Sequence, residues 1–397
     1  MKVAMICCPF KTSFGWYADS LKTAIEKRTG SEIQWVASNC GCGDPIETGR
    51  QFQARKCDYF DLPIPGAFRS KTPWKRVLRN GLRSALLDVR ARRYAYLSKD
   101  AEVVHFHQIL NAFGSKAVFR WLNRPSNAAR IVTVHELDAD QLESPDMNAA
   151  YDQADAIIVH CEEMRQNLIR LKVRPEKIHI VLHGTIIPPP SRDRQDADVV
   201  FYGGHNPMHG KGIQDLFRAM SMVRQRMGAN APTLRIHGHY GPTAPAEAHR
   251  LAGECGIAGH IVWLNQLAPE DTIELYQRSR ICVLPYTGSF AGLPASLAAA
   301  CRLPVVGTRR AGLPDHLGEN GVWIEENNPE QIAESVIGLL SDDRTRRELG
   351  ARLLARAQRY LSWDVIADRT LEIYDESARR GGRVACMTSA RRMASVW

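Results

Sequence analysis

Two glycine-rich turns hold the residues best suited to chemistry on an anion. The first is GGHNPMHGKG, residues 203–212, set between the strand-like run VVFY and a helical pattern. Gly203 and Gly204 let backbone approach a phosphate closely, and the N-terminus of a following helix attracts negative charge. Lys211 adds a point charge suited to a diphosphate, with His205 and His209 placed to assist. The same composition also makes an ordinary strand-to-helix turn. The second turn opens GLPASLAAACRLPVVGT, residues 292–308, after the strand-like ICVLPY. Gly292 would start a helix with free amides, Leu293 and Pro294 fixing that start. Ala298, Ala299 and Ala300 would let the helix press on a sheet. Alone, this stretch also reads as an alanine-rich packing helix. In the first half, Gly15 follows the first strand and suits a close approach to phosphate or sugar, while His135 ends the run IVTV. The plain alternative for His135 is a hydrogen-bonded structural histidine. His107 and Glu136 are weaker candidates of the same kind. No second pair supports a zinc site beside Cys40-Gly-Cys42, and no metal is expected.

These residues need elements to hold them, and strand and helix patterns alternate almost throughout. KVAMICC, EIQWVAS, EVVHF, RIVTV, AIIVH and KIHIVL read as buried strands; WYADSLKTAIEKR, SKAVFRWLN and EEMRQNLIRLK read as helices. IIPPPSRDRQDAD, residues 186–198, breaks the pattern and reads as a linker. The alternation then restarts. DVVFYGG, TLRIHG, HIVWLN, ICVLP, PVVGT and GVWI read as strands, with GIQDLFRAMSMVRQRM, PEDTIELYQRSR and LPASLAAAC as helices. Asn328-Pro329 starts a capped helix, and from Asp342 the chain reads as helical to about Arg380. Such alternation predicts two parallel α/β halves, with ligands beyond the carboxyl ends of their strands.

At 397 residues the chain is too long for one ordinary core. Its ten cysteines form no readable framework, which favours reduced thiols and a cytoplasmic setting. The N-terminus reads as a buried strand rather than a signal peptide, and no apolar run approaches the ~20 residues of a membrane span. The net charge of +9 is concentrated between Arg55 and Lys99, where twelve Lys or Arg face three Asp. Nucleic acid, an anionic membrane surface or an acidic substrate would each suit such a segment. Within it, residues 72–94 form a basic amphipathic pattern with an apolar stripe through Trp74, Leu78, Leu82 and Val89. A core-packed helix with a solvated charged face explains this, and so does peripheral contact with an anionic membrane. No nucleic-acid motif is present.

Taken together, the motifs resemble family 4 of the retaining glycosyltransferases, which have the GT-B fold. Gly203-Gly204 and Lys211-Gly212, then Pro285 and Gly292-Leu293-Pro294, follow the family order. Leu303-Pro304-Val305-Val306-Gly307-Thr308 and Ala311-Gly312-Leu313-Pro314-Asp315 continue it. Ser362-Trp363-Asp364 and a helix ending in IYD close the set. The resemblance implies two Rossmann-like doubly wound domains facing across a cleft. The first spans 1–187 and is joined by the C-terminal helix at about 365–380. The donor-binding domain spans 188–364, and 381–397 form a loose tail. It also implies metal-free transfer of a sugar, with retention, from a nucleotide-diphosphate donor to an acceptor hydroxyl, and no cofactor. The acceptor classes are a glycan, a lipid-linked or membrane-associated molecule, or a small molecule. His135 matches a family histidine that faces the reacting sugar, and His135 and Lys211 are the expected catalytic residues. Asn265 and Gln266 match the loop that reads the base. Phe290, Ala291, Gly292 and Leu293 surround the amides expected to hold the diphosphate.

Ser289 and Leu297 depart from the pattern. The family places glutamates there, one for the sugar hydroxyls and one for the ribose. A leucine accepts no hydrogen bond, and a hydrogen bond to a carboxylate is worth roughly 1.5–3 kcal/mol. The family's phosphate-binding arginine is replaced by Gly204 or His205. Three readings follow: an unusual donor such as a deoxyribonucleotide sugar, other residues supplying the contacts, or a catalytically inactive relative acting as a binding or scaffold protein.

Overall fold

The computed structural model describes residues 1–7, 13–37, 58–59, 89, 92–107, 127–135, 151–190, 199–204, 206–238, 246–265, 267–288, 290 and 292–380. The first part of the chain gives β1 (Val3–Cys7), α1 (Ser13–Thr29), β2 (Gln34–Ala37), β3 (Asp58–Tyr59), β4 (Val103–His107), β5 (Ala129–Thr133), β6 (Ala156–Val159), α2 (Glu162–Arg170) and β7 (Ile178–Ile180). The second part gives β8 (Val199–Gly204), α3 (Ile213–Met227), β9 (Leu234–Gly238), α4 (Ala246–Glu254), β10 (Ile261–Leu264), α5 (Pro269–Arg278), β11 (Ile281–Leu284) and α6 (Gly292–Ala300). It continues with β12 (Val305–Thr308), α7 (Leu313–Leu317), β13 (Val322–Ile324), α8 (Pro329–Ser341), α9 (Asp343–Tyr360) and α10 (Trp363–Arg380).

Two compact units result. One comprises Met1–His160, Met164–Val181 and the chain from Ala367; the other comprises Cys161–Glu163 and Leu182–Ile366. The first unit holds a seven-stranded sheet in the order β3-β2-β1-β4-β5-β6-β7, and the second a six-stranded sheet in the order β10-β9-β8-β11-β12-β13. Every pairing among the named strands is parallel. The central strands are apolar runs because parallel sheets are covered on both faces. β4, β6, β11 and β12 are buried along their whole length. Each sheet runs outward in both directions from its first strand. The strand order therefore reverses between β1 and β4 in one unit and between β8 and β11 in the other. Crevices at such reversals, outside the carboxyl ends of the strands, are where open α/β sheets bind ligands.

Local chemistry sets several boundaries. Asn328 caps α8 by accepting from the Gln331 amide, with Pro329 in the first turn. Asp342 caps α9 in the same way, accepting from the amides of Arg344 and Thr345. The helical stretch after Asp342 is two helices, α9 and α10, divided at Leu361 and Ser362. α1 begins at Ser13, so Gly15 lies inside the first helical turn rather than in a preceding loop. The expected helix SKAVFRWLN, the linker beyond Pro190, the tail 381–397 and residues 72–88 lie outside the described residues. Of the stripe between 72 and 94, Val89 is described and is 48% exposed, while nearby Tyr94 is fully buried.

Candidate functional site

In the second unit the candidate residues gather beside the reversal between β8 and β11. β8 ends in Gly203-Gly204, both buried. Gly204 has φ +61°, and a Cβ there would stand 3.2 Å from Lys211 Cε. Glycine thus brings the strand end and the lysine stem together. Gly212, at φ +66°, turns the chain into α3, and any Cβ there would collide with the Pro285 carbonyl oxygen. The loop after β8 is tied to the loop after β11 by Thr287 and Gly288, whose amides donate to Gly210 O at 3.1 and 3.3 Å.

Lys211 is only 5% exposed. Its ammonium lies 4.1 Å from the ring centroid of Tyr286 and 5.8 Å from that of Tyr202. A cation over a ring gains about 0.5–2 kcal/mol, which offsets part of the cost of removing the charge from water. The platform is itself braced. The Tyr286 hydroxyl donates to the Tyr202 carbonyl, and the Thr308 hydroxyl donates to the Tyr286 carbonyl. Beyond Tyr202, the His237 ring stands 5.0 Å away and meets the Tyr276 hydroxyl at 3.1 Å. Burial lowers the pKa of His237 to about 3, so that ring is neutral near pH 7.

α6 starts at Gly292, which is buried. A side chain at Gly292 would strike the Phe290 ring and approach His183 Cβ at 3.0 Å. Leu293 is half-buried, while every other residue of α6 is buried, so this helix, apolar but for Ser296, is sunk in the core. The Ser296 hydroxyl donates to the His183 carbonyl at 2.7 Å, and the His183 amide donates to His316 Nε2 at 3.0 Å. These bonds tether the start of α6 and α7 to the chain at His183. Leu297 is 2% exposed and belongs to the hydrophobic cluster of this unit. Its side chain is part of the packing, not a blank wall facing a ligand. His209 and Asn265 are exposed at the ends of their loops. His205, Gln266, Ser289 and Ala291 lie outside the described residues.

In the first unit a group of buried rings fills the carboxyl ends of β4, β5 and β6. His105, His107, His135 and His160 are all buried, as is Tyr17 of α1. The Tyr17 ring meets His135 edge-on at 4.7 Å and lies 4.9 Å from His160 and 5.8 Å from His107. His105 holds the Tyr374 hydroxyl of α10 at 2.6 Å and the Thr133 hydroxyl at 2.7 Å. Burial lowers the pKa of His105 to about 3 and that of His160 to about 4, and it drives that of His107 well down. Both ring nitrogens of His107 are buried and have no hydrogen-bond partner among the described residues. His160 Nε2 meets His135 Nδ1 at 2.9 Å, and His160 Nδ1 meets the Val181 carbonyl at 2.8 Å. Gly15 is buried in the first turn of α1, two residues before Tyr17. Glu136 lies outside the described residues.

The structure thus places Gly203, Gly204, Lys211, Phe290, Gly292 and Leu293 in one unit, and Gly15 and His135 in the other. Sequence reasoning missed His160. A signal was present: four successive apolar runs end in histidine, at His107, His135, His160 and His183. Among the described residues no cluster of His, Cys, Asp and Glu has a metal-binding arrangement, and no helix is long and apolar enough to cross a membrane.

Residues 196–342 match the family described as glycosyl transferases group 1, and residues 17–184 match the glycosyl transferase 4-like domain. Both halves of the chain thus match glycosyltransferase domains. A D-inositol 3-phosphate glycosyltransferase of Corynebacterium efficiens is 30% identical over 246 residues, 57% of each chain. The chain spans a little over half the length of the curated relatives it matches. Among solved structures, sucrose-phosphate synthase from Thermosynechococcus elongatus superposes with TM-score 0.71 at 19% identity, covering 95% of this chain and 99% of that one. Anabaena HepE in complex with UDP and glucose superposes with TM-score 0.67 at 15% identity, covering 94% and 99%. The fold is GT-B: two Rossmann-like units.

Proposed function

We propose that this chain is a retaining glycosyltransferase that moves a sugar from a nucleotide-diphosphate donor to an acceptor hydroxyl, without a metal. One observation carries the reading. At the β8/β11 reversal of the second sheet, a glycine strand end meets a buried lysine on an aromatic platform, and the loop between them is tied to the loop that follows β11 and leads toward α6. Such a cluster suits a leaving diphosphate. Charge develops on the phosphate as the sugar bond breaks, and preorganised amides and a desolvated cation stabilise it best. The Lys211 charge would leave its ring contacts for the phosphate oxygens, while the amides opening α6 would add fixed dipoles. In the other unit His135 would face the reacting sugar. With retention, the leaving phosphate accepts the proton of the incoming hydroxyl, so no carboxylate nucleophile is required.

The UDP in the HepE complex and the inositol phosphate named for the corynebacterial relatives support a nucleotide donor and a small or glycan-like hydroxylated acceptor. Peripheral membrane contact through residues 72–94 remains a reading of the sequence. Cosedimentation with anionic vesicles at low salt tests it, and a protein left wholly in the supernatant refutes it. Calorimetry with UDP, GDP, ADP and dTDP tests the donor. At least one should bind, and Lys211→Ala should weaken that binding by 10-fold or more, about 1.4 kcal/mol. Unchanged affinity would show the phosphates lie elsewhere. The competing reading is a non-catalytic binder, favoured by the burial of Leu297 among apolar side chains. It predicts no donor turnover with any acceptor even where a nucleotide binds.

A further inference from the structure

The histidines of the first unit form a directed chain. Val181 O is a carbonyl and can only accept, so at 2.8 Å the proton must sit on His160 Nδ1. His160 is fully buried, and burial holds its pKa near 4, so near pH 7 the ring carries that one proton alone. Its Nε2 is then an acceptor, and the group 2.9 Å away, His135 Nδ1, must be the donor. With that proton on Nδ1, a His135 ring carrying a single proton keeps its lone pair on Nε2. Imidazole alone leans toward the other tautomer, so this state has to be imposed by partners.

We infer that His160 is a positioning residue: through the Val181 carbonyl it fixes the tautomer and ring orientation of His135, so that His135 Nε2 acts as a hydrogen-bond acceptor. The inference rests on the glycosyltransferase reading for its use: Nε2 is buried in this structure, and a sugar hydroxyl that reaches it in the reaction would meet an acceptor nitrogen. Geometry supports the relay from three sides. Val181 N donates to Val159 O at 2.9 Å, so the accepting carbonyl belongs to a residue whose own amide is fixed beside the end of β6. The next amide after β5, Val134 N, donates to Ile158 O at 2.8 Å, which holds the chain leading into His135 beside β6. The Tyr17 ring packs edge-on to His135 and against His160, which limits rotation of both. Among the described residues, His105 and His107 also face the pair, and His105 is occupied by Tyr374 and Thr133.

The test reads the tautomer directly, on the full-length protein with 15N-labelled histidine, by long-range 1H–15N correlation near pH 7.5. Wild type should show His135 protonated at Nδ1 and unprotonated at Nε2. His160→Leu should move His135 predominantly to the Nε2–H form. His160→Gln, whose amide both donates to a carbonyl and accepts from a ring N–H, should restore the wild-type pattern. A merely space-filling His160 would give the same His135 tautomer in all three proteins, and that result overturns the inference. So does a wild-type His135 protonated at Nε2, a result that decides the matter even where the leucine variant does not fold. This outcome is separable from the proposed reaction. Nucleotides that fail to bind would sink the donor reading and leave the measured tautomer standing.

Discussion

Replacing Leu297 by glutamate restores the residue that the family resemblance places on the ribose, and the structure says the substitution will fail. Leu297 is 2% exposed inside the cluster that contains α6, β11, β12 and α9. Removing the leucine side chain from that cluster costs roughly 1.5–3 kcal/mol of burial. A carboxyl in its place has no water, and full burial raises such a pKa by up to about 3–5 units. Taking about 3 units, at roughly 1.4 kcal/mol each, the ionised form costs about 4 kcal/mol at neutral pH. The sum is roughly 5–7 kcal/mol, comparable with the whole stability of many domains. The sign with pH is fixed. The folded-state pKa lies above the unfolded value near 4.3, so the variant's deficit is smallest below about pH 4.3. It grows by up to about 1.4 kcal/mol per pH unit until the folded pKa is passed. Urea unfolding of wild type, Leu297→Glu and Leu297→Gln at pH 5 and 7.5 measures this. Differences from wild type at each pH remove the protein's other titrations, and the glutamine variant shows the packing loss without the charge. A glutamate variant destabilised by under about 1 kcal/mol, with no pH dependence and tighter UDP binding, would show that residue 297 faces the ligand and that the packing argument is wrong.

Further outcomes follow from other positions. Gly212→Ala should cost about 1–2 kcal/mol for the left-handed backbone and a further ~1–3 kcal/mol for displacing the Pro285 carbonyl. Gly256→Ala, at φ +68° with nothing within 4 Å of the added methyl, should carry only the backbone part, and equal losses in urea unfolding would refute the steric account. Wild-type stability should fall as pH drops from about 6.5 toward 4, because the unfolded state binds protons that buried His160 and His105, with pKa values near 4 and 3, refuse. A urea midpoint flat between pH 7 and 5 would contradict that burial. His107→Leu should raise stability by roughly 1–3 kcal/mol, since both buried ring nitrogens lack partners among the described residues. A lower melting temperature would mean the ring is satisfied after all.

Much of the fold was legible because burial on both faces writes parallel strands as unbroken apolar runs. VVHFH, ARIVT and AIIV needed no alternation to be read, and their strands stand side by side in the sheet. Helix starts were legible where a side chain does the capping, as at Asn328-Pro329. α4 was not read from the sequence: AEAHRLAGE mixes small and charged residues, and its buried positions, Ala248 and Ala252, signal little. The two-residue strand β3 is held by its pairing to β2 and carries no periodicity of its own. The site divides the same way. Glycines that must adopt positive φ or admit a neighbour, such as Gly204 and Gly212, announce themselves by type. Direction does not. Whether residue 297 faces a ligand or the core depends on the rotation of α6, and a helix with Ser296 as its one polar side chain has no polar face to report that rotation. The resting place of Lys211 depends on two tyrosines, one on β8 and one after β11, which only the parallel pairing of those strands brings together. The His160–His135 bond joins residues 25 apart through the pairing of β5 with β6. Their types were visible in the runs VTVH and IIVH, but their relation is a property of the sheet. The donor and acceptor roles then follow from a single carbonyl at Val181, the one group in that chain whose chemistry allows no choice.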